Sequence, residues 1–249
     1  MKPPSLAIII ITLNEEQRLP LLLGDLQRQT WTDFEIIHVD SNSTDQTLRR
    51  SAQISAQFAH YRIIDMQQRG VSLGRNMGAR QARADRLLFL DSDTRLAPDF
   101  LETALQELQQ RDLGVGIVCM ATDGLAFRHR VSFGLFNAGI RLTSHFFPTA
   151  IGACLFSARE IHAEIGGFDE RLRLCEDCHY VLKASKAQRS TVGVLRSRFD
   201  FDPRRLDQDG FLRTGFTYFR ANLYRFFRGE LVHNQIPYEF GHYRSGPHD

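Results

Sequence analysis

Two aspartates, Asp91 and Asp93, stand one residue apart directly after an apolar run of the sequence. Two carboxylates at this spacing can both reach one hard cation and leave its remaining positions to phosphate oxygens. Such a cation, Mn²⁺ or Mg²⁺, would act as a Lewis acid and stabilise the charge on a departing diphosphate. By itself, Asp91-Ser92-Asp93 is more typical of a simple turn. The case for a metal site therefore depends on the rest of the chain.

Two further polar clusters follow apolar runs in the same way, one after residues 6–11 and one after residues 36–39. Their members carry side-chain oxygens: Thr12, Asn14 and Glu15 in the first cluster, and Asp40, Ser41 and Asn42 in the second. Side-chain oxygens at these positions could accept hydrogen bonds from a bound ligand. For Asp40, a turn aspartate that caps its neighbours is an equally good interpretation.

The apolar runs before these clusters have the pattern of buried parallel strands. Leu6–Ile11, Ile36–Val39 and Leu87–Leu90 are short, rich in branched side chains and apolar without alternation, as in strands covered on both faces. Tyr61–Ile64 and Val115–Met120 are weaker candidates. Helical patterns separate the strands, and this alternation predicts an α/β fold with a doubly wound sheet. Ligands of such sheets bind outside the carboxyl ends of the strands, where the three polar clusters would meet.

Five segments of the sequence occur in the order of a known family. They are Ile8–Glu16 (IIIITLNEE), Val39–Thr47 (VDSNSTDQT), Gly70–Gly78 (GVSLGRNMG), Leu88–Asp93 (LFLDSD) and Gly166–Asp177 (GGFDERLRLCED). Together they resemble glycosyltransferase family 2, and the resemblance covers about residues 5–183. It implies the GT-A fold, which is a Rossmann-like, mostly parallel sheet with helices on both faces. It also implies inverting transfer of a sugar from a UDP- or GDP-sugar donor.

The resemblance assigns donor-binding roles to residues at the strand ends and in the segment 70–78. The implied nucleotide-sugar-binding residues are Thr12, Asn14, Glu15, Asp40, Arg75, Asn76, Asp91 and Ser92. Among them, Arg75 and Asn76 match the element that positions the diphosphate, and an arginine can pair directly with anionic oxygens. The alternative for Arg75 is an exposed arginine at the start of a helix.

Glu176 and Asp177 match the acidic pair of the family, and the resemblance implies that they are the catalytic residues. Asp177 is the expected general base, because an inverting transfer needs a carboxylate that takes the proton of the attacking acceptor hydroxyl. Asp91 and Asp93 are the implied metal ligands. The alternative for the 176–177 pair is an exposed acidic pair favoured by a helix N-terminus.

The sequence departs from the family pattern in three places. Ile11-Thr12-Leu13 stands where many relatives have Pro-Thr-Tyr, so an aromatic contact to the base is missing from that position. Ser41 replaces the second aspartate of the common VDDGS form, which removes one candidate ligand. The QxxRW element of processive polysaccharide synthases is absent. The absence of this last element favours transfer of a single sugar over extension of a polymer.

The composition is that of an ordinary globular chain. Its 249 residues, 43% hydrophobic and 24% charged, are enough for one sizeable core. A net charge of +2 does not fit a nucleic-acid binder. We predict a catalytic domain over residues 1–205, with a donor part at about 1–120 and an acceptor part at 121–205, followed by a helical extension at 206–249. The first apolar run is too short for a secretory or membrane-spanning segment, so the expected location is cytoplasmic.

Two basic and aromatic segments stand toward the C-terminal end. Residues 124–159, where the family places its acceptor-facing segment, contain no Asp or Glu but four Arg and six Phe. Residues 211–228 repeat the mixture with helical spacing. Both could contact a lipid-linked acceptor or the inner face of a membrane peripherally. The alternatives are an ordinary core under 124–159 and, for 211–228, packing on the catalytic domain or on the second subunit of a homodimer.

Cys175 and Cys178, followed by His179, have the spacing of a zinc or redox pair. A zinc site needs two more ligands, and the sequence has no second matching cluster. We therefore interpret these cysteines as ordinary thiols.

Two other functional classes remain open from the sequence. Sugar-phosphate nucleotidyltransferases also use Rossmann-like domains and paired aspartates, but they usually have a Gly-rich basic loop after the first strand, and residues 12–18 contain no glycine. A non-catalytic nucleotide-binding scaffold is the second alternative. The joint presence of Asp91, Asp93 and Asp177 argues against it.

Overall fold

The computed structural model of the chain describes residues 2–187, 191–201 and 211–230, and within the last range the side chains of residues 217 and 220–230. The strands in these ranges are β1 Leu6–Thr12, β2 Phe34–Asp40, β3 Tyr61–Asp65, β4 Arg86–Asp91, β5 Thr94–Arg95, β6 Val115–Met120, β7 Cys154–Ala158 and β8 Val192–Phe201. The helices are α1 Leu19–Gln27, α2 Thr47–Ser55, α3 Val71–Gln81, α4 Phe100–Gln110, α5 Phe127–Thr143, α6 Arg159–Glu164, α7 Glu176–Lys186 and α8 Phe211–Arg228. The five strands predicted from the sequence are confirmed.

The strands form one mixed sheet in the order β3-β2-β1-β4-β7-β6-β8-β5. The first four are parallel, and β7 runs antiparallel to both β4 and β6. Thr12 pairs with Asp40, and Ile11 pairs with Asp91. The carboxyl ends of β1, β2 and β4 therefore lie at one edge of the sheet, and the predicted convergence of the three polar clusters is confirmed.

The sheet is buried on both faces, which explains why its central strands are apolar without alternation. Successive side chains of a strand point to opposite faces. Ile8 and Ile10 of β1 belong to a core that includes α1 and α4, whereas Ile9 belongs to a second core that includes residues of α3 and α7. At Gly78, a Cβ would collide with the side chain of Ile9. The glycine thus lets α3 pack directly on β1.

The later part of the chain completes the same sheet. β7 inserts between β4 and β6, and β8 pairs with β6 and with the short β5. The segment predicted as the acceptor part therefore shares a sheet with the donor part. The predicted boundary at residues 205/206 and the extension beyond residue 230 lie outside the described residues. No helix in the described ranges has the length and apolar character needed to cross a bilayer.

Candidate active site

An arginine in the middle of α3 joins carboxylates from two distant parts of the chain. The side chain of Arg75 is 2% exposed. Its Nη2 donates to Asp91 Oδ1 at 3.0 Å and to the carbonyl of Gly152 at 2.9 Å. Its Nη1 donates to Glu176 Oε1 at 2.9 Å. One guanidinium therefore holds the end of β4 next to the start of α7.

The alternative of an exposed arginine at a helix start is thus wrong for Arg75. Its guanidinium lies over the ring of Phe168, 5.1 Å from the ring centroid. Its Nε has no hydrogen-bond partner within the described residues. The hydrogen bonds that Arg75 does make go to protein oxygens, so in this structure it organises the carboxylates of the site. Direct contact with a diphosphate stays a prediction.

The charges of this cluster affect one another strongly. Burial lowers the pKa of Arg75, but the nearby Asp91, Glu176 and Asp177 outweigh burial, and the net effect is a raised pKa. Burial raises the pKa of Glu176, and the charge of Asp177 adds to this against the effect of Arg75. Burial also raises the pKa of Asp177, with Arg75 opposing. A carboxylate with a raised pKa binds a proton more readily, as a general base must.

Asp91 ends β4, and Ser92 and Asp93 form the tight turn that leads into β5. The turn is held at its far end, because Thr94 Oγ1 donates to the carbonyl of Asp91 at 2.8 Å. The Asp91 side chain is 26% exposed, in contrast to its buried partner Arg75. The segment Asp91-Ser92-Asp93 therefore forms a turn, which is the simpler of the two interpretations of its sequence. It also places the carboxylate of Asp91 at the edge of the sheet.

Asn76 fixes the glycine-rich turn that precedes α7. Its Nδ2 donates to the carbonyl of Phe168 at 2.9 Å and to Glu170 Oε1 at 2.8 Å, and its Oδ1 accepts from the N–H of Phe168 at 2.9 Å. Gly167 has φ +68°, and a Cβ there would lie 2.6 Å from Asn76 Oδ1. The structure thus places Asn76 against the 166–170 turn, and its predicted contact with the nucleotide remains a prediction.

The acidic pair begins α7. Cys175, directly before it, has a left-handed backbone with φ +59°, a conformation that costs a non-glycine residue free energy. The Glu176 side chain is 8% exposed, so the alternative of an exposed acidic pair is wrong for this residue. Asp177 is partly exposed, and its Oδ1 accepts from the N–H of Cys178 at 2.7 Å.

The cysteines of this segment are buried thiols. Cys178 Sγ donates to the carbonyl of Ala150 at 3.5 Å. Cys175 and Cys178 both pack in a small cluster with Ala221 of α8. In the part of the chain that the structure describes, no group of three or more His, Cys, Asp or Glu side chains could hold a metal ion.

The turns after β1 and β2 are joined by hydrogen bonds between side chains and backbone. Asn14 has φ +56°, and its Oδ1 accepts from the N–H of Thr44 at 2.8 Å. The N–H of Glu15 donates to Thr47 Oγ1 at 2.8 Å. Glu15 is buried, and its carboxylate accepts from Arg18 Nη1 at 2.7 Å. The two turns therefore form one unit at the carboxyl edge.

Asp40 lies fully buried within this unit. Its Oδ2 accepts from the N–H of Ser43 at 2.7 Å, and its Oδ1 accepts from Ser43 Oγ and from Thr12 Oγ1, both at 2.6 Å. The turn-capping interpretation of Asp40 is what the structure shows. A role in ribose binding stays a prediction, and it would require this carboxylate to accept further hydrogen bonds.

A chain of buried polar side chains leads from Asp40 into the sheet. Thr12 Oγ1 lies 2.8 Å from His38 Nε2, His38 Nδ1 lies 2.7 Å from Ser51 Oγ, and Ser51 Oγ lies 2.9 Å from the Tyr61 hydroxyl. Burial lowers the pKa of His38 to about 4 against the opposing charge of Asp40, so the ring is neutral at neutral pH. We call Tyr61, Ser51, His38, Thr12 and Asp40 the histidine relay.

The carboxylate of Asp40 can only accept hydrogen bonds, and this fixes which group donates in every other hydrogen bond of the histidine relay. The single proton of the Thr12 hydroxyl goes to Asp40, so Thr12 must accept from His38 Nε2–H. The neutral ring then carries no proton on Nδ1, which accepts from Ser51. Ser51 in turn accepts from Tyr61. The relay therefore selects the Nε2–H tautomer of His38.

The predicted site residues fall into two groups along one sheet edge. One group is the Arg75 cluster with Asp91, Glu176 and Asp177, and the other is the pair of turns with Thr12, Asn14, Glu15 and Asp40. Ser92 and Asp93 lie in the turn of the first group and are buried. Sequence reasoning missed His38, because residues 36–39 look apolar as a run. A histidine inside an otherwise buried strand was the available signal.

Comparison with known proteins gives a consistent result. Residues 7–166 match the family described as Glycosyl transferase family 2. An uncharacterized glycosyltransferase of Haemophilus influenzae is 30% identical over 186 residues, which cover 72% of this chain. The same alignment covers 61% of that relative, so this chain spans less than two thirds of its length.

Two solved structures resemble the fold. The mannosyltransferase PcManGT of Pyrobaculum calidifontis, in complex with GDP-Man and Mn²⁺, has a TM-score of 0.68 at 19% identity, covering 90% of this chain and 62% of that one. Residues 1–349 of S. aureus TarS, in complex with UDP-GlcNAc, have a TM-score of 0.64 at 23% identity, covering 78% of this chain and 57% of that one. At these identities the likeness concerns the fold.

Proposed function

Since this chain belongs to glycosyl transferase family 2 and has the GT-A fold of such glycosyltransferases, we propose that it is a metal-dependent inverting enzyme. It transfers a single sugar from a UDP- or GDP-sugar to a hydroxyl or phosphate of an acceptor. The donor diphosphate lies at the carboxyl edge of the sheet, next to Asp91. The acceptor approaches from the side of α7.

One observation carries this proposal: the Arg75 guanidinium bonds to both Asp91 and Glu176. Asp177 is the neighbour of Glu176 at the start of α7. Through this one buried cation, the carboxylate proposed for the donor end is joined to the residue next to the carboxylate proposed for the acceptor end.

The side chains at residues 91–93 fit a hard divalent cation. Carboxylate oxygens are the ligands that Mg²⁺ and Mn²⁺ prefer, and Mg²⁺ in particular is commonly held by one or two carboxylates with substrate phosphates filling further positions. Asp91 and Asp93 supply two carboxylates at a sheet edge where Asp91 is partly exposed. When bound, the cation would neutralise charge on the leaving diphosphate.

Asp177 acts as the general base of the transfer. It takes the proton of the acceptor hydroxyl while that oxygen forms its bond to the anomeric carbon from the face opposite the diphosphate. The bond between the anomeric carbon and the diphosphate oxygen breaks, and its electron pair leaves with the nucleoside diphosphate. Burial raises the pKa of Asp177, which strengthens it as a base. Glu176 orients Arg75 beside it.

The turns after β1 and β2 hold the nucleoside in this proposal. Thr12, Asn14, Glu15 and Asp40 belong to one hydrogen-bonded unit, so the donor meets a preformed surface. Asn76 contributes by fixing the turn before α7, and Ser92 by shaping the turn between the two aspartates.

We infer the acceptor class from the composition of residues 124–159, which lack acidic residues. A lipid-linked acceptor fits this segment, and with it a cytoplasmic protein bound peripherally to the inner membrane face through 124–159 and 211–228. We retain the division into a catalytic domain at 1–205, with donor and acceptor parts that share one sheet, and an extension at 206–249. Assembly as a homodimer through residues 211–228 is the competing use of that segment.

The test is transfer by the purified chain with UDP- and GDP-sugars in the presence and absence of Mn²⁺. Release of UDP or GDP is expected, whereas pyrophosphate would indicate a nucleotidyltransferase. Asp177→Asn should lower kcat by about 10²–10⁴-fold, as expected for loss of a general base, with donor affinity retained. The matched control is Asp85→Asn, because the Asp85 side chain is 92% exposed. Full transfer by Asp177→Asn would refute the assigned base, and metal-dependent donor binding by Asp91→Ala would refute the metal site.

A further inference from the structure

Helix α5 has apolar side chains both on its buried side and on the opposite, outward side. Its buried residues recur at intervals of four, four and three and pack toward the sheet: His129, Phe133, Asn137 and Ile140. The outward side has its own apolar stripe at the same kind of spacing: Phe127, Val131, Leu135, Ala138 and Leu142. A helix on the surface of an ordinary globular protein has polar residues on that side.

The outward stripe of α5 is strongly exposed. Phe127 is 73% exposed, Leu135 is 71% exposed and Leu142 is 77% exposed. Contiguous exposed apolar side chains of this kind mark a surface that binds a protein, a membrane or a ligand. Isolated exposed hydrophobic residues need no such explanation, but these residues recur along four turns of one helix face.

The apolar surface continues from α5 onto α8. Phe146, just after α5, is 66% exposed, and Phe227 of α8 is 72% exposed. The two helices are connected by Phe147, whose ring lies 5.3 Å from that of Phe226 and 5.3 Å from the guanidinium carbon of Arg225. We call the outward stripe of α5 with Phe146, Leu223, Phe226 and Phe227 the apolar–basic face.

Among the described residues of the α5 stripe and of α8, every charged side chain is an arginine. Arg128 lies on one flank of the α5 stripe, and Arg130 and Arg141 lie on the other, all three exposed. On α8, Arg220 and Arg228 are exposed. Residues 124–159 include no acidic side chain that could repel an anion. Apolar residues between arginines are typical of a helix that lies in the plane of an anionic lipid surface.

Helix α8, which carries part of this face, lies beside the proposed acceptor site. α8 packs through Ala221 on Leu174, Cys175 and Cys178, which are the residues around the Glu176–Asp177 pair. A chain docked by this face would hold the proposed base close to the headgroup layer. A sugar acceptor anchored in the membrane could then reach the base while the donor arrives from water.

We propose that the apolar–basic face binds an anionic lipid membrane and thereby presents a membrane-anchored acceptor to Asp177. The membrane binding stands on the exposed residues and the arginines alone, whereas the presentation of an acceptor rests on the proposed function. In this proposal the lipid surface binds the apolar–basic face, and the competing partner for the same face is a second copy of the chain.

The experiment is flotation of the full chain with vesicles of phosphatidylcholine, with and without phosphatidylglycerol. The wild-type chain should float with the anionic vesicles, less so at high salt, and not with the neutral ones. The triple variant Phe127→Ser/Leu135→Ser/Leu142→Ser should bind at least about tenfold more weakly, because it loses the inserted side chains. Arg128→Gln/Arg130→Gln should weaken binding by about fivefold per arginine.

The matched control is Leu21→Ser on α1, which replaces an apolar side chain that is 50% exposed elsewhere on the surface. It should float like the wild type. Unchanged flotation of the triple variant, no flotation of the wild type, or a wild-type dimer that the triple variant converts to a monomer would each overturn the proposal. Donor binding, measured by thermal shift without vesicles, should be the same in all variants. Absence of donor binding would refute the proposed function and leave the flotation result standing.

Discussion

The histidine relay and the Arg75 cluster are both buried polar networks at one edge of the sheet, but they differ in the charge of their side chains. The relay is neutral up to its terminal carboxylate and connects residues between 12 and 61 on neighbouring elements. The Arg75 cluster is ionic and joins α3 to residues 91, 152 and 176. The relay thus supports one turn, whereas the cluster connects the two ends of the proposed reaction.

This difference in charge predicts how much stability each network would lose when one of its side chains is replaced. A neutral hydrogen bond contributes about 1 kcal/mol to stability. A buried charge that loses its partner costs several times as much, because it cannot recover its hydration. The Arg75 cluster should therefore be the more sensitive of the two, and its loss should affect both stability and catalysis.

The largest effect is expected at Arg75. Arg75→Met leaves the buried Glu176 and its neighbours without their cation and should destabilise the fold by about 3–5 kcal/mol, as measured by urea unfolding. Arg75→Lys keeps the charge, but a single ammonium lacks the planar fork that spans Asp91 and Glu176. The Arg75→Lys variant should therefore transfer sugar far more slowly than the wild type, even under conditions in which the variant is folded.

The control for Arg75 is the exposed ion pair between Arg159 and Asp85, whose side chains are 46% and 92% exposed. Arg159→Met should change stability by less than about 1 kcal/mol. Equal costs for the two methionine variants would show that the Arg75 cluster has no special energetic role.

An intermediate effect is expected from acid on the relay. Folded His38 titrates at about 4, whereas an unfolded histidine titrates near 6.5. Between these values the unfolded chain binds more protons, so stability rises with pH and is lost as the pH falls from above 6.5 toward 4. The contribution of His38 at the low end is about 3 kcal/mol.

His38→Gln removes this titration. The variant should be less stable than the wild type at pH 7.5, and the difference in unfolding free energy should shrink at pH 4.5. His60→Gln, at an exposed position, serves as the control and should track the wild type at both pH values. A constant difference between His38→Gln and the wild type would argue against a neutral, buried His38.

The smallest effect is expected at the far end of the relay. Tyr61→Phe removes the hydroxyl that donates to Ser51 and leaves the other relay bonds intact. The cost should be about 1 kcal/mol in unfolding free energy, with the KM for the donor unchanged. A rise in donor KM would show that the whole relay, and not only Asp40 and Thr12, shapes the nucleotide site.

Much of the fold and part of the site could be predicted from local pattern. Apolar runs of six and four residues identify β1 and β4, because strands buried on both faces allow few polar residues. The position of Asp91 at the sheet edge then follows from the rule for parallel sheets. The partners of Arg75 could not be predicted, because Glu176 lies 101 residues away in the chain. His38 escaped notice since one polar residue does not disturb an apolar run.

The sequence by itself determined the family, the parallel strands and the residue types at their carboxyl ends, because these depend on short-range pattern and on ordered motifs. Only the tertiary structure decided which carboxylates share a cation, that Asp40 caps a turn and that α5 exposes a second apolar stripe. Burial and charge pairing depend on distances between elements far apart in the chain. No local pattern encodes those distances, and they arise only when the sheet brings the elements together.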